Sequence, residues 1–236
     1  MRLSLVIPAY NEEERIGETL RDVDAYLARQ DYEAEVVVVD DGSGDATASA
    51  AQAASPEVRL ITYQPNRGKG HAVRTGMRAA AGDYRVFYDA DGSTPIHEIE
   101  RLWPRFEAGA DVVIGSRSLP DSDVQVRQHI LRQSMGRTFN VFVKLLLGAP
   151  YIDTQCGFKG LTADATEVVF SRQRLNGFCF DAELLYIARK HGLRIDEVPV
   201  RWINSPDSRV RVVGDSLGMF CDLVRVRLND ARGCYR

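Results

Sequence analysis

The stretch V-F-Y-D-A-D-G-S-T-P, residues 86–95, decides how the rest of the chain is read. Val86, Phe87 and Tyr88 read as the end of a buried strand, and Asp89 and Asp91 follow one residue apart. An uncompensated charge inside a strand costs more than the strand gains, so the pair belongs at the strand's carboxyl end. Alternate residues of an extended chain point the same way, which puts both carboxylates on one side. Carboxylates so placed suit Mg2+ or Mn2+, with the remaining ligand positions left to water and phosphate oxygens. The alternative is a pair that caps a helix opening near Pro95.

Upstream, residues 3–7 form an apolar run closed by Pro8, and a helix is expected from an Asn11 cap, with Ile16, Leu20, Val23 and Leu27 as its buried stripe. Residues 35–39 read as a second strand ending in D-D-G-S, followed by an Ala-rich helix from about Ala46. A third strand is expected over 58–63, a helix over 70–81 and a strand over 84–88. Downstream, 96–108 reads as one helix and D-V-V-I-G-S-R as another strand. Strands alternating with helices predict an α/β fold, a mostly parallel central sheet flanked by helices with right-handed crossovers. Ligands of such sheets bind beyond the carboxyl ends of the strands. Four polar clusters, P-A-Y-N-E, D-D-G-S, D-A-D-G and G-S-R, each follow a strand and so gather on one edge. No linker or repeat interrupts the pattern, and 1–236 reads as a single domain.

Composition narrows the class. The chain has 236 residues, is 44% hydrophobic and 27% charged, and carries a formal charge of -3. That balance argues against general nucleic-acid binding, which calls for a strongly basic domain. Basic residues are nevertheless concentrated late in the chain: Arg117, Arg127, Arg132, Arg137 and Lys144, then seven arginines from Arg201 onward. Cys156, Cys179, Cys221 and Cys234 are too far apart for a zinc motif and read as reduced structural thiols. The first residues enter a strand pattern rather than a signal peptide, and no run reaches the roughly 20 apolar residues of a membrane span. A cytoplasmic location is therefore expected.

Several motifs carry chemistry, each with a plain structural alternative. Tyr10 and Glu12 in V-I-P-A-Y-N-E-E lie where a helix start favours anions, or simply where a helix is well capped. Asp40 and Asp41 can accept from a base N–H or a ribose hydroxyl, or form an Asx turn with Gly42. N-R-G-K-G-H-A-V-R-T-G, residues 66–76, offers Lys69 and Arg74 to phosphate, yet it is neither G-x-G-x-x-G nor a P-loop. In the basic segment, Arg127, Arg132 and Arg137 alternate with Ile130, Leu131, Phe139, Phe142 and Leu146. Met219, Phe220 and Leu223 lie beside Arg225 and Arg227 in the same manner. Such helices lie in a membrane interface or pack on the catalytic domain.

Taken in order, V-I-P-A-Y-N-E-E, V-V-D-D-G-S, N-R-G-K-G and D-A-D-G resemble the inverting family 2 glycosyltransferases of the GT-A fold. D-T-Q-C-G-F-K-G-L (153–161), F-D-A-E-L-L-Y-I-A (180–188) and E-V-P-V-R-W (197–202) narrow the likeness to the dolichyl-phosphate β-glucosyltransferase branch. The resemblance covers nearly the whole chain. It implies a nucleotide-sugar and metal-binding half, 1–115, and an acceptor-binding half, 116–236, with basic amphipathic helices. Pro8, Tyr10, Glu12, Asp40 and Asp41 would surround the nucleoside, Lys69 would approach the diphosphate, and Asp89 and Asp91 would hold the metal. Arg117, Arg132, Ser134 and Arg209 would grip the acceptor phosphate. Asp153 would be a base or a sugar contact, a buried structural carboxylate being the alternative.

The implied reaction moves glucose from UDP-glucose to a polyprenyl phosphate at the cytoplasmic face of a membrane. A phosphate acceptor is already a nucleophile near neutral pH, so catalysis reduces to positioning and charge neutralisation. GDP-mannose as donor, a soluble acceptor, and a nucleotide-binding scaffold without catalysis are the rival readings. The metal pair argues against the scaffold. A nucleotidyltransferase would show a Gly-rich loop directly after the first strand, where P-A-Y-N-E stands instead.

Overall fold

In the computed structural model, residues 1–125, 130–203 and 214–236 are described, with the backbone alone for 130–135, 137 and 214–217. The core is a seven-stranded sheet in the order β3-β2-β1-β4-β7-β5-β8. Its strands are β1 (Arg2–Ala9), β2 (Glu33–Asp40), β3 (Arg59–Thr62), β4 (Tyr84–Tyr88), β5 (Val112–Ser116), β7 (Phe158–Thr162) and β8 (Ile195–Pro199). A separate pair joins β6 (Val124–Gln125) to β9 (Trp202–Ile203). All neighbours in the large sheet are parallel except β7, which runs antiparallel to both β4 and β5. The sequence expectation of a mostly parallel α/β sheet flanked by helices therefore holds.

The alternation of side chains across the pleat explains why both faces are covered. Leu3, Leu5 and Ile7 of β1, with Val36 and Val38 of β2, face one apolar layer built with α1 (Ile16–Leu27) and α2 (Thr47–Ala54). Val6, Val37 and Val39 face the other, with α3 (Lys69–Ala79), α6 (Ala163–Arg172) and α7 (Phe180–Lys190). A short α4 (Trp103–Glu107) covers the first layer, and α5 (Ile130–Leu147) packs with α8 (Gly214–Ala231) beside the second. The strand order reverses at β1: β2 and β3 lie to one side and β4 to the other. That switch point opens a crevice beyond the carboxyl ends of β1 and β4.

Three local expectations need correction. The first helix begins at Ile16 rather than at an Asn11 cap. Asn11 instead adopts φ 54° and turns its side chain to the β2–α2 loop. Residues 96–108 are not one helix: a 3₁₀ turn, Ile96–Arg101, precedes α4, and Pro104 opens the second piece. Pro104 has no N–H to continue the preceding turn, and its ring requires a fresh helix start. Finally, 89–92 is not extended. Gly92 N–H closes a turn onto the Asp89 carbonyl at 3.3 Å, with Gly92 at φ 63°. Simple alternation is therefore not what sets the two carboxylates.

Candidate active site

Ala9 of β1 pairs in register with Asp40 of β2, which brings the two post-strand loops together. Asn11 Oδ1 accepts from Gly44 N–H at 2.8 Å, while Asn11 N–H donates to Ser43 Oγ at 2.9 Å. Glu12 N–H donates to Thr47 Oγ1 at 2.7 Å, and the Glu12 carboxylate pairs with Arg15. Pro8 is buried under this junction and Tyr10 stands exposed at its mouth. Asp40 is buried and accepts from Ser43 N–H at 3.0 Å. Pro8, Tyr10, Glu12 and Asp40 thus share one end of the sheet.

Asp41 has a different place from the one its sequence neighbourhood suggested. Its Oδ1 accepts from Tyr63 Oη–H at 2.8 Å and Arg67 N–H at 2.9 Å. Its Oδ2 accepts from Asn66 Nδ2 and Gly68 N–H, both at 2.8 Å. Four donors satisfy this buried carboxylate, so Asp41 fastens the 63–68 loop. Tyr63 is pushed to a raised pKa by its burial and by Asp41.

The fastened loop delivers Lys69. Gly68, at φ 100°, passes so close to the Asn176 carbonyl that a Cβ there would lie 2.5 Å from the oxygen. Gly70 N–H donates to that same oxygen at 2.7 Å. Lys69 then opens α3 and pairs with Asp89 Oδ1 at 2.6 Å. Burial disfavours its charge, but Asp89, Asp181 and Asp91 outweigh that and hold the ammonium above its ordinary pKa. Asp91 Oδ1 accepts from Ser93 N–H at 3.0 Å.

Asp89 and Asp91 fit a hard divalent cation in oxygen number and charge, provided that other ligands come from diphosphate and water. Among the described residues no group of three or more His, Cys, Asp or Glu side chains could hold a metal by itself. Two carboxylates leave most positions of a hard divalent cation to other oxygens, such as those of phosphate and water.

At the end of β5, Arg117 and Asp153 form a two-pronged pair, Nε to Oδ2 at 2.7 Å and an Nη to Oδ1 at 2.9 Å. Arg117 N–H also donates to Asp153 Oδ2. Glu197 fixes the base of this arrangement by accepting from Ile152 N–H at 3.0 Å and Asp153 N–H at 2.8 Å. Trp202 of β9 covers the guanidinium at 5.5 Å. Burial alone would push Asp153 up; the Arg117 charge and hydrogen bonds overcome it and hold the carboxylate down at about 2. A carboxylate so acidic is a poor proton acceptor near neutrality, and its two-pronged contact orients the Arg117 guanidinium. Cys156 beside it is buried and its thiol is pushed up to about 11, mainly by burial.

Two residues of the quoted motifs received no role from sequence alone. Lys159, fully buried in β7, places Nζ 2.5 Å from Asp181 Oδ1 and 2.5 Å from the Cys156 carbonyl. A lysine within F-K-G-L should have drawn attention, because a buried ammonium in a central strand demands a partner. Arg132 and Ser134 belong to α5, but their side chains lie outside the described residues, as does Arg209 altogether. No helix among the described residues is long and apolar enough to cross a membrane.

Comparison with known proteins bears on this geometry. Residues 4–169 match glycosyl transferase family 2. Dolichyl-phosphate beta-glucosyltransferase of Dictyostelium discoideum is 34% identical over 249 residues, covering 99% of this chain and 76% of the relative. The Homo sapiens protein of the same description is 34% identical over 254 residues, covering 100% and 78%. The Saccharomyces cerevisiae one is 32% identical over 256 residues, covering 99% and 76%. Among solved structures, glucosyl-3-phosphoglycerate synthase from Mycobacterium tuberculosis with Mn2+, UDP-glucose and phosphoglyceric acid superposes at TM-score 0.71. It is 21% identical, covering 97% of this chain and 79% of that one. Its complex with Mg2+ and UDP gives the same TM-score at 22% identity, covering 97% and 78%.

Proposed function

The chain belongs to glycosyl transferase family 2, and we propose that it transfers glucose, with inversion, from UDP-glucose to a polyprenyl phosphate of the dolichyl type. The fold is GT-A. The observation that carries the reading is that Asp89 stands between two machineries. Lys69 reaches it from the donor loop, and the 153–157 loop, which holds Arg117 in place through Asp153, presses on it from the other side.

In this reading Pro8, Tyr10, Glu12 and Asp40 line the nucleoside pocket, and Lys69 releases Asp89 to meet the diphosphate. Asp89 and Asp91 hold Mg2+ or Mn2+, which when bound neutralises charge on the departing diphosphate. Arg117 keeps one edge on Asp153 and offers the rest of its guanidinium to the acceptor phosphate. Arg132, Ser134 and Arg209 complete that phosphate site. An acceptor phosphate needs no base to become a nucleophile, which agrees with the low proton affinity of Asp153. Positioning and charge compensation then supply the catalysis.

Residues 1–236 act in this proposal as one domain, donor half 1–115 and acceptor half 116–236. Strand β7 of the second half lies between β4 and β5 of the first, and that placement supports it. The peripheral membrane surface is assigned to α5 and α8. Val141 and Leu145 are 52% and 73% exposed on α5, and Phe220, Val224 and Leu228 are exposed at every fourth position of α8. Phe142 and Phe220 join the two helices, ring to ring, at 4.7 Å. Lys144 and Arg225 are exposed on the same two helices, Arg225 in an ion pair with Asp222. In this proposal the apolar strip rests on the leaflet that presents the lipid phosphate, the cytoplasmic one.

The test is transfer of labelled glucose from UDP-glucose to a polyprenyl phosphate in detergent, with Mn2+ or Mg2+, beside GDP-mannose as donor and phosphoglycerate as a soluble acceptor. Lipid-linked label from UDP-glucose alone, absent in Asp91→Ala, is the expected result. Label from GDP-mannose, or transfer only to the soluble acceptor, would move the protein to one of the rival readings. Binding of both nucleotide sugars without transfer would favour a scaffold.

A further inference from the structure

Lys159 and Asp181 are both almost wholly removed from water, and neither is a candidate ligand of any substrate. Lys159 lies at the centre of β7, in register with Phe87 of β4 and Ile114 of β5. Its ammonium lies 5.3 Å from the Phe87 ring centroid and donates to Asp181 Oδ1 and to the Cys156 carbonyl. Asp181 belongs to the first turn of α7, where the helix end favours an anion. Isolated ions at such depth carry a large desolvation cost, and apolar residues of similar volume are often as stable. The pair therefore needs an explanation beyond stability.

Its neighbours supply one. Cys156 is followed by Gly157, whose backbone lies against Asp89, and Phe158 pairs with Tyr88 directly before that carboxylate. Pulling on the Cys156 carbonyl thus sets how the 153–157 loop meets Asp89. One buried ion pair consequently reaches the 153–157 loop: Asp181 holds the Lys159 ammonium, and the ammonium holds the Cys156 carbonyl.

We propose that Lys159 and Asp181 are positioning residues that fix the 153–157 loop relative to Asp89, and so set the affinity of the site for a nucleoside diphosphate with its divalent cation. The proposal rests on the functional reading above, and it concerns residues that touch neither substrate.

The experiment compares the full chain with Lys159→Met/Asp181→Leu, in which both charges are removed together, and with Asp181→Asn. Calorimetric titration with UDP plus Mn2+ and thermal unfolding are measured on each, with donor KM and kcat where transfer is detected. The double variant is expected to melt cooperatively near the parent and to bind UDP with Mn2+ about 10- to 100-fold more weakly, as is usual for groups behind metal ligands. Parental affinity, donor KM and kcat in a folded double variant would overturn the proposal and leave the pair a packing element. If the double variant does not fold, Asp181→Asn decides: weaker binding supports the role and unchanged binding overturns it. A parent that binds no UDP with Mn2+ would overturn the functional reading, and this inference with it.

Discussion

A Cβ on Gly157 would come within 1.9 Å of Asp89 Oδ2 and 2.3 Å of its Cγ, so the 153–157 loop and the acidic turn are in backbone-to-carboxylate contact. No other residue type fits between them without moving one. Asp89 is the partner free to yield, because its side chain is 33% exposed.

Gly157→Ala should therefore leave the fold in place and swing Asp89 out of position. A shift of about 1 Å at a reacting centre costs on the order of 100-fold in rate. The expected outcome is near-parental thermal unfolding with transfer reduced by about that factor, read by labelled-sugar assay. Parental activity would show that Asp89 has no fixed position to lose.

Asp41→Asn should act through the loop it fastens. The carboxylate accepts from the backbone N–H groups of Arg67 and Gly68, and an amide in its place presents an NH2 to one of them. Leaving buried donors unmatched costs about 1 to 3 kcal/mol for each. A lower melting temperature is expected, together with weaker UDP binding because Lys69 follows directly from this loop. Weaker binding at unchanged stability would instead make Asp41 a nucleoside contact.

Much of this arrangement was legible in the sequence, for physical reasons that can be named. Val36 to Val39 are apolar on both faces, which only a central strand of a covered sheet tolerates, and Asp40 had to emerge at its end. The same logic located Asp89 after β4. Side-chain partners across long separations were not legible. Nothing local to Asp41 announces the 63–68 loop as its partner, and nothing local to Asp153 announces Arg117 or Glu197. The helix start was misplaced because Asn11 satisfies Gly44, 33 residues away, rather than its own first turn.

The Arg117–Asp153 pair carries a pH signature. Arg117 holds Asp153 down to about 2, below the ordinary value of about 3.9 for an aspartate in an unfolded chain. A depressed carboxylate adds stability above its unfolded pKa and loses it as pH falls through the folded one. The stability difference between the parent and Asp153→Asn should be constant above about pH 5 and shrink between about pH 4 and pH 2, by roughly 2 kcal/mol in all. Denaturant unfolding at several pH values measures it. The same low pKa means that Asp153 contributes no acid limb to the rate near neutrality, and an activity pKa near 6 that vanishes in Asp153→Asn would restore the base reading.

The exposed strip on α5 and α8 makes the membrane assignment testable apart from catalysis. Leu145 and Val224 lie on the two helices that Phe142 and Phe220 hold together. Burial of one such side chain in the acyl boundary is worth about 1.5 to 3 kcal/mol, or at least about tenfold in partition. Leu145→Asp/Val224→Asp should lose sedimentation with anionic phospholipid vesicles by more than that factor, while UDP and Mn2+ binding stay parental. Added salt should weaken the parent's vesicle binding as well, since Lys144 is exposed on α5 next to Leu145 and exposed charges are screened within about 8 Å at physiological ionic strength. Unchanged vesicle binding in the double variant would remove α5 and α8 as the membrane surface. Lost vesicle binding with retained transfer to detergent-dispersed lipid would separate the surface that finds the bilayer from the site that uses its phosphate.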